Sequence, residues 1–425
     1  MQVKIYKGFK SFSKSIDVTE NIEISSTVKE ILSKVLNKGD AALLEYTKKF
    51  DKVIPDSWLI PKTRLEEALV NLDDDMFLVL QQAADNIMLF HERQKADSHL
   101  DFSSDGSILG WKVSPVDSAG IYIPGGRATY PSTLLMNVIP AQIAEVPRIA
   151  LVSPPGPSGL PHPLVMATAA FVGLEELYAI GGAQSIAALA YGTESIQKVV
   201  KITGPGNAYV AEAKRQVYGT VGIDSLAGPS EIMIVCDRED IPVDYLVRDM
   251  PSQAEHDPDA GAFLVTTSDK QSKKVANRIK KLVPKLPRKG IIEASFKNRS
   301  AIIIAKDLEE IFDMVNEVAP EHLEILTKEP FDNLYRIRNA GAIFLGPNTP
   351  EPVGDYFAGP NHTLPTSGSA KFSSPLGVHD FMKTSSVIHY SAERLKSQGE
   401  QIIRFAKEED LFSHAAAIQA RLDYM

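Results

Sequence analysis

The chain has 425 residues, 44% of them hydrophobic, which is more than a single hydrophobic core usually needs, so we expect at least two domains. Its formal charge of -9 and sequence pI of about 5.6 leave no general basic surface for nucleic acid or anionic lipid. We therefore expect a small-molecule substrate.

The cysteine content and the chain start indicate the compartment. Cys236 is the single cysteine of the sequence, so no internal disulfide can form, and a chain of this length without disulfides suits a reducing compartment. The first residues mix lysines with isolated apolar side chains and lack the apolar run of a secretory signal. No uncharged stretch reaches the roughly 20 residues of a membrane helix. The expected location is the cytoplasm.

Apolar periodicity predicts a helix-rich early chain, with helices around 28–36 and 65–72. After Trp111, short apolar runs alternate with helical patterns and glycine-rich turns. The predicted strands of this middle region are 120–123, 149–153, 177–180 and 199–202, and its predicted helices are 132–144, 164–170, 185–191 and 211–217. This alternation is typical of a parallel sheet that is covered on both faces.

A second alternating region follows the first. Its predicted strands are 231–236, 262–266, 301–304, 323–326 and 342–345, and its predicted helices are 242–249 and 308–318. The segment 346–374 is rich in Gly, Pro, Ser and Thr and is too long for a simple connection, so it is a candidate functional loop. A charged helical tail is predicted from about residue 391.

The predicted fold class is α/β, with two Rossmann-like parallel-sheet domains that lack the G-x-G-x-x-G fingerprint, plus N-terminal and C-terminal helical segments. We expect four segments. They are an N-terminal segment 1–25, a discontinuous first α/β domain 26–119 with 231–373, a second α/β domain 120–230, and a helical tail 374–425.

Two glycine turns are candidates for a cofactor site. Gly204-Pro-Gly206 and Gly181-Gly182 each follow a predicted strand and precede a predicted helix. Helix N-termini at strand ends present backbone N–H groups and partial positive charge, which suits a pyrophosphate. The alternative is that these glycines only turn the chain, and the pattern leaves both interpretations open.

Residues with metal-ligand chemistry are spread over three segments. Gln253 and His256 are three apart, so a helix would project both from one face. Taken alone, this pair is more often an ordinary solvated helix face. Further donors that could complete a zinc site are Glu351, Asp355 and His362 of the loop and Glu409 and His414 of the tail.

Glu321 and His322 lie between a predicted helix and a predicted strand, where they could supply two proton acceptors to one cleft. The alternative is a surface glutamate beside a half-buried histidine. Cys236 could be the nucleophile of an aldehyde dehydrogenase, but it ends a strongly apolar strand, so a buried and inert thiol is the better interpretation.

Several motifs occur in one order along most of the chain. They are 121-IYIPGG-126, 181-GGAQ-184, 204-GPGN-207, 227-AGPSE-231, 252-SQAEH-256, 319-APEH-322, 354-GDY-356 and 361-NHTLP-365. Together they resemble the histidinol dehydrogenase family, which catalyses the last two steps of histidine biosynthesis.

The resemblance implies a zinc- and NAD-dependent oxidation of L-histidinol, through L-histidinaldehyde, to L-histidine. The implied zinc ligands are Gln253, His256, Asp355 and His414. The implied acid/base residues are Glu321 and His322. The implied NAD contacts are Tyr122, Gln184 and Asn207. The implied substrate contacts are Ser230, Gln253, His256, His322, Glu351, Asp355, His362, Glu409 and His414. It also implies a homodimer in which the tail, with His414, reaches the partner's active site.

Two local features predict breaks in helices. Pro251 disfavours helical geometry at Met250, so we expect a kink or a new helix start there. Glu409 and His414 are five apart, about 140° around an ideal helix, so the chain should break at 410–413, with Ser413 as a possible N-cap.

Two rival functions remain open besides the cysteine-dependent one. The first is a zinc- and NAD-dependent dehydrogenase of the same family that acts on another amino or small alcohol. The second is a non-catalytic zinc or nucleotide sensor, although the pairing of Glu321 with His322 argues against it.

Overall fold

The structure is a computed structural model that describes residues 3–8, 11, 22–125, 129–226 and 228–425. The motifs quoted from Gly126 and Ala227 therefore lie partly outside the described residues. The chain forms two compact units, the first made of Met1–Gln94 with Asp117–Phe381 and the second of Lys95–Val116 with Met382–Met425.

Strands and helices alternate through most of the first unit. The strands in chain order are β1 (Lys4–Lys7), β2 (His99–Phe102), β3 (Ile108–Pro115), β4 (Ala119–Tyr122), β5 (Ile149–Ser153), β6 (Leu177–Ala179), β7 (Lys201–Thr203), β8 (Gly222–Ile223), β9 (Glu231–Val235), β10 (Gly261–Thr266), β11 (Ala301–Ile304), β12 (His322–Ile325), β13 (Ala342–Leu345) and β14 (Met382–His389). The α-helices are α1 (Ile22–Lys38), α2 (Asp40–Phe50), α3 (Lys62–Val70), α4 (Asp74–His91), α5 (Pro131–Ile143), α6 (Pro163–Phe171), α7 (Gly182–Tyr191), α8 (Ala208–Val217), α9 (Val243–Ala254), α10 (Asp269–Leu282), α11 (Lys289–Asn298), α12 (Leu308–Val318), α13 (Glu351–Tyr356), α14 (Ala392–Glu408) and α15 (Phe412–Asp423).

The first unit contains two parallel sheets. One has six strands in the order β1-β11-β10-β9-β12-β13, and the other has five in the order β6-β5-β4-β7-β8. All strand pairs within both sheets are parallel. The predicted fold class, with two Rossmann-like parallel sheets and helical segments at both ends, is confirmed.

Both faces of the four inner strands of the six-stranded sheet are buried, which explains the nearly continuous apolar sequences of β9, β10, β11 and β12. Along β9, Ile232 and Ile234 pack toward α9, α10 and α11, while Met233 and Val235 pack toward α12. The five-stranded sheet packs in the same way against α1, α2, α7 and α8. Each core is therefore a sheet between helices.

The second unit contains an antiparallel sheet in the order β14-β3-β2, together with α14 and α15. The sequence pattern missed β14, because its residues are largely exposed and lack a buried apolar run. The predicted division placed residues 95–116 in an α/β domain, whereas they pair with β14 here. The other domain boundaries remain a prediction.

The tail breaks where the spacing of Glu409 and His414 predicts a break. Helix α14 ends at Glu408, Asp410 has a positive φ of 57°, and α15 begins at Phe412. Leu411 rather than Ser413 occupies the N-cap position, so that part of the prediction was wrong. The N-cap comes earlier than predicted because the left-handed backbone at Asp410 ends one helix and lets the next begin two residues later.

Pro251 does not start a new helix, because α9 runs from Val243 to Ala254 without interruption. The predicted new helix start at this proline is therefore wrong: the helix continues for three residues beyond Pro251, and the Glu255 N–H donates to the Pro251 carbonyl over 3.0 Å. Among the described helices, none combines the length and apolar character needed to cross a bilayer.

Gly204 is a position where a side chain cannot be accommodated. Its φ is +110°, and a Cβ would lie 2.2 Å from the Tyr122 carbonyl oxygen. Gly219, with φ of +98°, has nothing within 4 Å of its Cβ position. We expect Gly219→Ala to lower the free energy of unfolding by about 1–2 kcal/mol, the cost of left-handed backbone alone.

Gly204→Ala should cost clearly more, because backbone atoms must also move. Urea denaturation of both variants measures the difference. Equal losses of unfolding free energy would show that the close approach to Tyr122 imposes no constraint.

Candidate active site

The five-stranded sheet reverses its strand order next to β4. From β4 the chain builds β5 and β6 on one side and then crosses to β7 and β8 on the other. In open parallel sheets, ligands bind at the carboxyl ends of the strands at such a reversal. Tyr122 ends β4 and the Gly204-Pro-Gly206 turn follows β7, so this turn lies at the reversal, whereas the Gly181-Gly182 turn follows the edge strand β6.

Helix N-termini surround Tyr122 at this edge. The Tyr122 hydroxyl oxygen accepts a hydrogen bond from the Gly182 N–H over 3.3 Å, and burial raises the pKa of Tyr122 to about 12. Gln184 lies buried in the first turn of α7, and its Oε1 has no hydrogen-bond partner among the described residues. These groups favour an anionic or strongly polar ligand.

Asn207 caps the other helix at this edge. Its Oδ1 accepts hydrogen bonds from the N–H groups of Tyr209 and Val210, over 3.0 and 3.2 Å. The oxygen is therefore occupied by the cap of α8, and the side-chain amide nitrogen is the group that can contact a ligand.

The predicted acid/base residues stand at the amino end of β12, on the neighbouring strand to β9. Both polar backbone groups of Glu231 hold them. The Glu231 N–H donates to Glu321 Oε2 over 2.9 Å, and the Glu231 carbonyl lies 3.1 Å from His322 Nδ1. Because a carbonyl can only accept, His322 Nδ1 carries the proton and Nε2 is the free acceptor.

Burial changes the protonation of both side chains. It raises the pKa of Glu321 well above its usual value, against the hydrogen bonds from the Glu231 backbone and the Ser230 side chain. It lowers the pKa of His322 to about 4, against the charge of Asp355. Since His322 Nε2 has no partner among the described residues, a neutral base is available there.

Three predicted site residues gather into a candidate metal centre. His256, Glu351 and Asp355 each offer one ligand atom, and these atoms lie within 4.8 Å of one another. His362 Nδ1 lies 3.5 Å from Asp355 Oδ1. Burial opposes the ionisation of Asp355, but the hydrogen bond and charge of His362 hold the pKa of Asp355 below its usual value.

His256 is placed differently from the prediction. It follows the C-cap Glu255 of α9 rather than lying on a helix face with Gln253. Its imidazole keeps an open side to solvent, although surrounding protein removes enough water to lower its pKa. The C-terminal end of α9 carries a partial negative charge. This charge adds to that of the carboxylates in the candidate metal centre.

Gln253 is a buried amide without protein partners. Its side chain is completely buried, and neither Oε1 nor Nε2 has a hydrogen-bond partner in the described chain. An unsatisfied buried amide costs roughly 1–3 kcal/mol, so such a group usually serves a ligand. Its position in the last turn of α9, three residues before His256, fits a fourth donor for a metal ion.

The sequence reading missed two glutamates that support the site. Glu324 is buried on β12, and its Oε1 accepts from the Glu351 N–H over 2.8 Å. Burial and the neighbouring Asp249 raise the pKa of Glu324 well above its usual value. Glu231 begins an otherwise apolar strand and Glu324 lies inside one, and a charged residue in such a place is the sequence signal that could have identified them.

The loop that carries His362 is fastened to α5, the helix after β4. Asn361 Nδ2 donates to the Met136 carbonyl over 2.6 Å, and Asn137 Nδ2 donates to Thr363 Oγ1 over 3.1 Å. Both asparagines are buried. The residue before His362 and the residue after it are therefore both held by α5, which follows β4 of the five-stranded sheet.

The remaining predicted residues have plainer positions. Ser230 directly precedes β9, and its carbonyl accepts from the Gly261 N–H over 2.9 Å. Glu409 and His414 belong to the second unit, where both are exposed. Cys236 is buried, contacts Gln271 and the Arg238 carbonyl over 3.4 Å each, and has a pKa raised by burial, as expected for an inert thiol.

Comparisons with known proteins agree along the chain. A family model for histidinol dehydrogenase matches residues 15–422. A histidinol dehydrogenase of Listeria monocytogenes serotype 4b (strain F2365) is 49% identical over 96% of this chain and 95% of the relative. That of Bacillus subtilis (strain 168) is 49% identical over 99% of both chains. The crystal structure of histidinol dehydrogenase from Elizabethkingia anophelis has a TM-score of 0.93 at 33% identity, over 99% of this chain and 98% of that chain.

The buried His322 makes the stability of the fold depend on pH. Above pH 6.5 the imidazole is neutral in both states, whereas between pH 6.5 and about 4 only the unfolded chain gains the proton. The free energy of unfolding should therefore fall by up to about 3 kcal/mol from pH 7 to pH 4 through this residue.

His322→Asn and His322→Gln should each flatten this part of the pH dependence. Denaturant titrations of chelator-treated protein at several pH values measure it. If both variants keep the slope of the parent protein, the imidazole is not held neutral by burial.

Proposed function

The chain belongs to the histidinol dehydrogenase family, and we propose that it is a zinc-dependent enzyme that oxidises L-histidinol through L-histidinaldehyde to L-histidine with two successive NAD molecules. The observation that carries this proposal is the free, neutral Nε2 of His322 beside the donor cluster of His256 and Asp355.

The donor set fits zinc. Gln253, His256 and Asp355 supply an amide oxygen, an imidazole and a carboxylate, and the two partnerless polar atoms of Gln253 need such a ligand. We propose His414 of the second chain of a homodimer as the remaining ligand. Bound zinc would fix the amino and imidazole nitrogens of histidinol, which is a positioning role.

Glu351 adds a carboxylate to the cluster. Burial and the neighbouring Asp355 raise the pKa of Glu351 well above its usual value. The family resemblance implies that Glu351 contacts the substrate. We propose that it accepts a hydrogen bond from the amino group of the bound substrate, because a nearby cation favours the ionised form of an acid beside Asp355.

His322 is the proposed base of the oxidations. Its Nε2 would accept the hydroxyl proton of histidinol as the carbon loses hydride, because Nδ1 is held in its protonated state by the Glu231 carbonyl. NAD, bound at the carboxyl ends of β4 and β7, would accept the hydride of each step. The Glu231 contact thus fixes both the tautomer and the direction of the ring.

Glu321 is the proposed base for water. Addition of water to the aldehyde requires a group that removes a proton near neutral pH, and burial raises the pKa of Glu321 toward that range. The Glu231 N–H orients its carboxylate over 2.9 Å. Glu321 and His322 thus have separate tasks, although the backbone of one residue, Glu231, holds both.

The remaining proposed contacts belong to the cofactor and the substrate. The proposed NAD contacts are Tyr122, Gln184 and Asn207. The further proposed substrate contacts are Ser230, His362 and Glu409.

The substrate assay separates this proposal from its nearest alternative, a dehydrogenase of the same family for another amino or small alcohol. Purified protein with L-histidinol and excess NAD should form about two NADH per histidinol consumed. His322→Asn should lower kcat by about 100-fold or more, the usual worth of a positioned base. A stoichiometry of one NADH, or turnover of other amino alcohols without histidinol, would contradict the proposal.

Gln253→Leu should have opposite effects with and without zinc. In chelator-treated protein it removes an unsatisfied buried amide and should raise the free energy of unfolding by about 1 kcal/mol. Zinc affinity should fall at least about tenfold. The matched control is Gln271→Leu, whose buried amide is satisfied by Thr266 Oγ1 and the Arg238 carbonyl.

Gln271→Leu should instead lower the free energy of unfolding and leave zinc affinity unchanged. Denaturant titration and competition with a zinc chelator measure both quantities. Unchanged zinc binding in Gln253→Leu would remove this residue from the ligand set.

Complementation between two inactive variants tests the shared site. If His414 acts in the partner's active site, a mixed dimer of His414→Ala and His322→Asn chains has one intact site. Random mixing by denaturation and refolding should therefore recover about one quarter of the parental activity. A mixture that stays inactive, while refolded parent protein regains activity, would place His414 in the site of its own chain.

A further inference from the structure

We propose that the buried ion pair of Lys214 and Asp224 positions the 204–207 turn for NAD, a role that rests on the proposed function. Lys214 lies on α8 and Asp224 directly follows β8. Their side chains are 2% and 4% exposed, and they form a salt bridge. A lysine this deeply buried requires a specific partner, because burial without one is very costly.

The pair holds both backbone polar groups of one glycine. Lys214 Nζ donates to the Gly204 carbonyl over 3.0 Å, and the Gly204 N–H donates to Asp224 Oδ2 over 2.9 Å. Gly204 therefore has its donor and its acceptor satisfied by side chains from two different elements. Its backbone cannot rotate without breaking a charge-assisted hydrogen bond.

The held glycine is the point where the turn meets β4. A Cβ on Gly204 would lie 2.2 Å from the Tyr122 carbonyl oxygen, so the two backbones are as close as glycine allows. Three residues later, Asn207 caps α8. The pair thus fixes the turn against Tyr122 and fixes the angle at which the N-terminus of α8 leaves it.

Stability alone does not explain the pair. Two charges taken out of water contribute little net stability, and apolar residues of similar size often serve as well or better. The pair instead fixes the direction of the remaining backbone N–H groups of the 204–207 turn, which Asp224 does not bind. A pyrophosphate bound there needs these groups already in place, because ordering them on binding would cost affinity.

The side chains of Lys214 and Asp224 are buried, so they act on the turn and not on the bound cofactor. Each is therefore a positioning residue and not a catalytic one. The sequence reading identified the glycine turn but neither of its two supports. A purely structural role predicts proportional losses of every activity parameter. A positioning role predicts a selective loss of NAD binding.

The test uses the zinc-loaded full-length protein and three variants. They are Asp224→Asn, Lys214→Met and the double variant, which leaves no unpaired buried charge and is decisive if Lys214→Met does not fold. The matched control is Arg215→Met, the next residue on α8, whose exposed guanidinium pairs with the partly buried Glu212. The dissociation constant of NAD is measured without histidinol, with zinc content, the KM of each substrate and kcat.

We expect the dissociation constant and KM of NAD to rise by about tenfold or more in the folded variants. The KM of histidinol, zinc content and kcat at saturating NAD should stay within about twofold of the parent, as should every parameter of Arg215→Met. A folded double variant that binds NAD as tightly as the parent would overturn the role of the pair. Equal losses in NAD, histidinol and zinc binding would overturn it too. A parent protein that binds no NAD would instead overturn the proposed function.

Discussion

The parallel pairing of β9 with β12 determines where the active-site side chains lie. His322 is opposite Ile232 in this register, so Glu231 at the start of β9 extends one residue beyond the paired strand. Its N–H and carbonyl also hold the side chains of Glu321 and His322. A shift of one residue would turn His322 to the opposite face of the sheet. Glu324, two residues along β12, lies on the same face as His322 and supports Glu351.

The two sheets contribute opposite ends to the proposed reaction. The turns proposed to bind NAD lie at the carboxyl ends of β6 and β7, the edge at which a parallel sheet with a reversed strand order binds ligands. The six-stranded sheet reverses its order between β9 and β12, yet its acid/base pair lies at the amino ends of these strands. Helix α9 runs back along this sheet, so its C-terminal end brings Gln253 to the same edge. The loop held by Asn361 and Asn137 joins this edge to α5, the helix that follows β4 of the five-stranded sheet.

Much of the fold could be predicted because buried parallel strands are apolar on both faces, and helices between them keep a clear period. The prediction failed where exposure or a single residue decides the structure. Strand β14 is exposed and carries no apolar signal, and α9 continues through Pro251 although proline usually interrupts a helix. The donor residues proposed for the site lie in motifs of the sequence, whereas the residues that hold them are identified only in the structure. Glu231, Lys214 and Asp224 act through backbone groups that spacing along the sequence does not reveal.

The proposed reaction depends most on a metal centre made of nitrogen and oxygen donors, and the buried Cys236 contacts Gln271 instead of these donors. X-ray absorption at the zinc edge of the loaded protein measures the donors directly. We predict a shell of nitrogen and oxygen at about 2.0–2.2 Å, with scattering from two imidazoles, one of which is lost in His414→Ala. A sulfur neighbour at about 2.3 Å, or a spectrum with no imidazole scattering, would contradict the account.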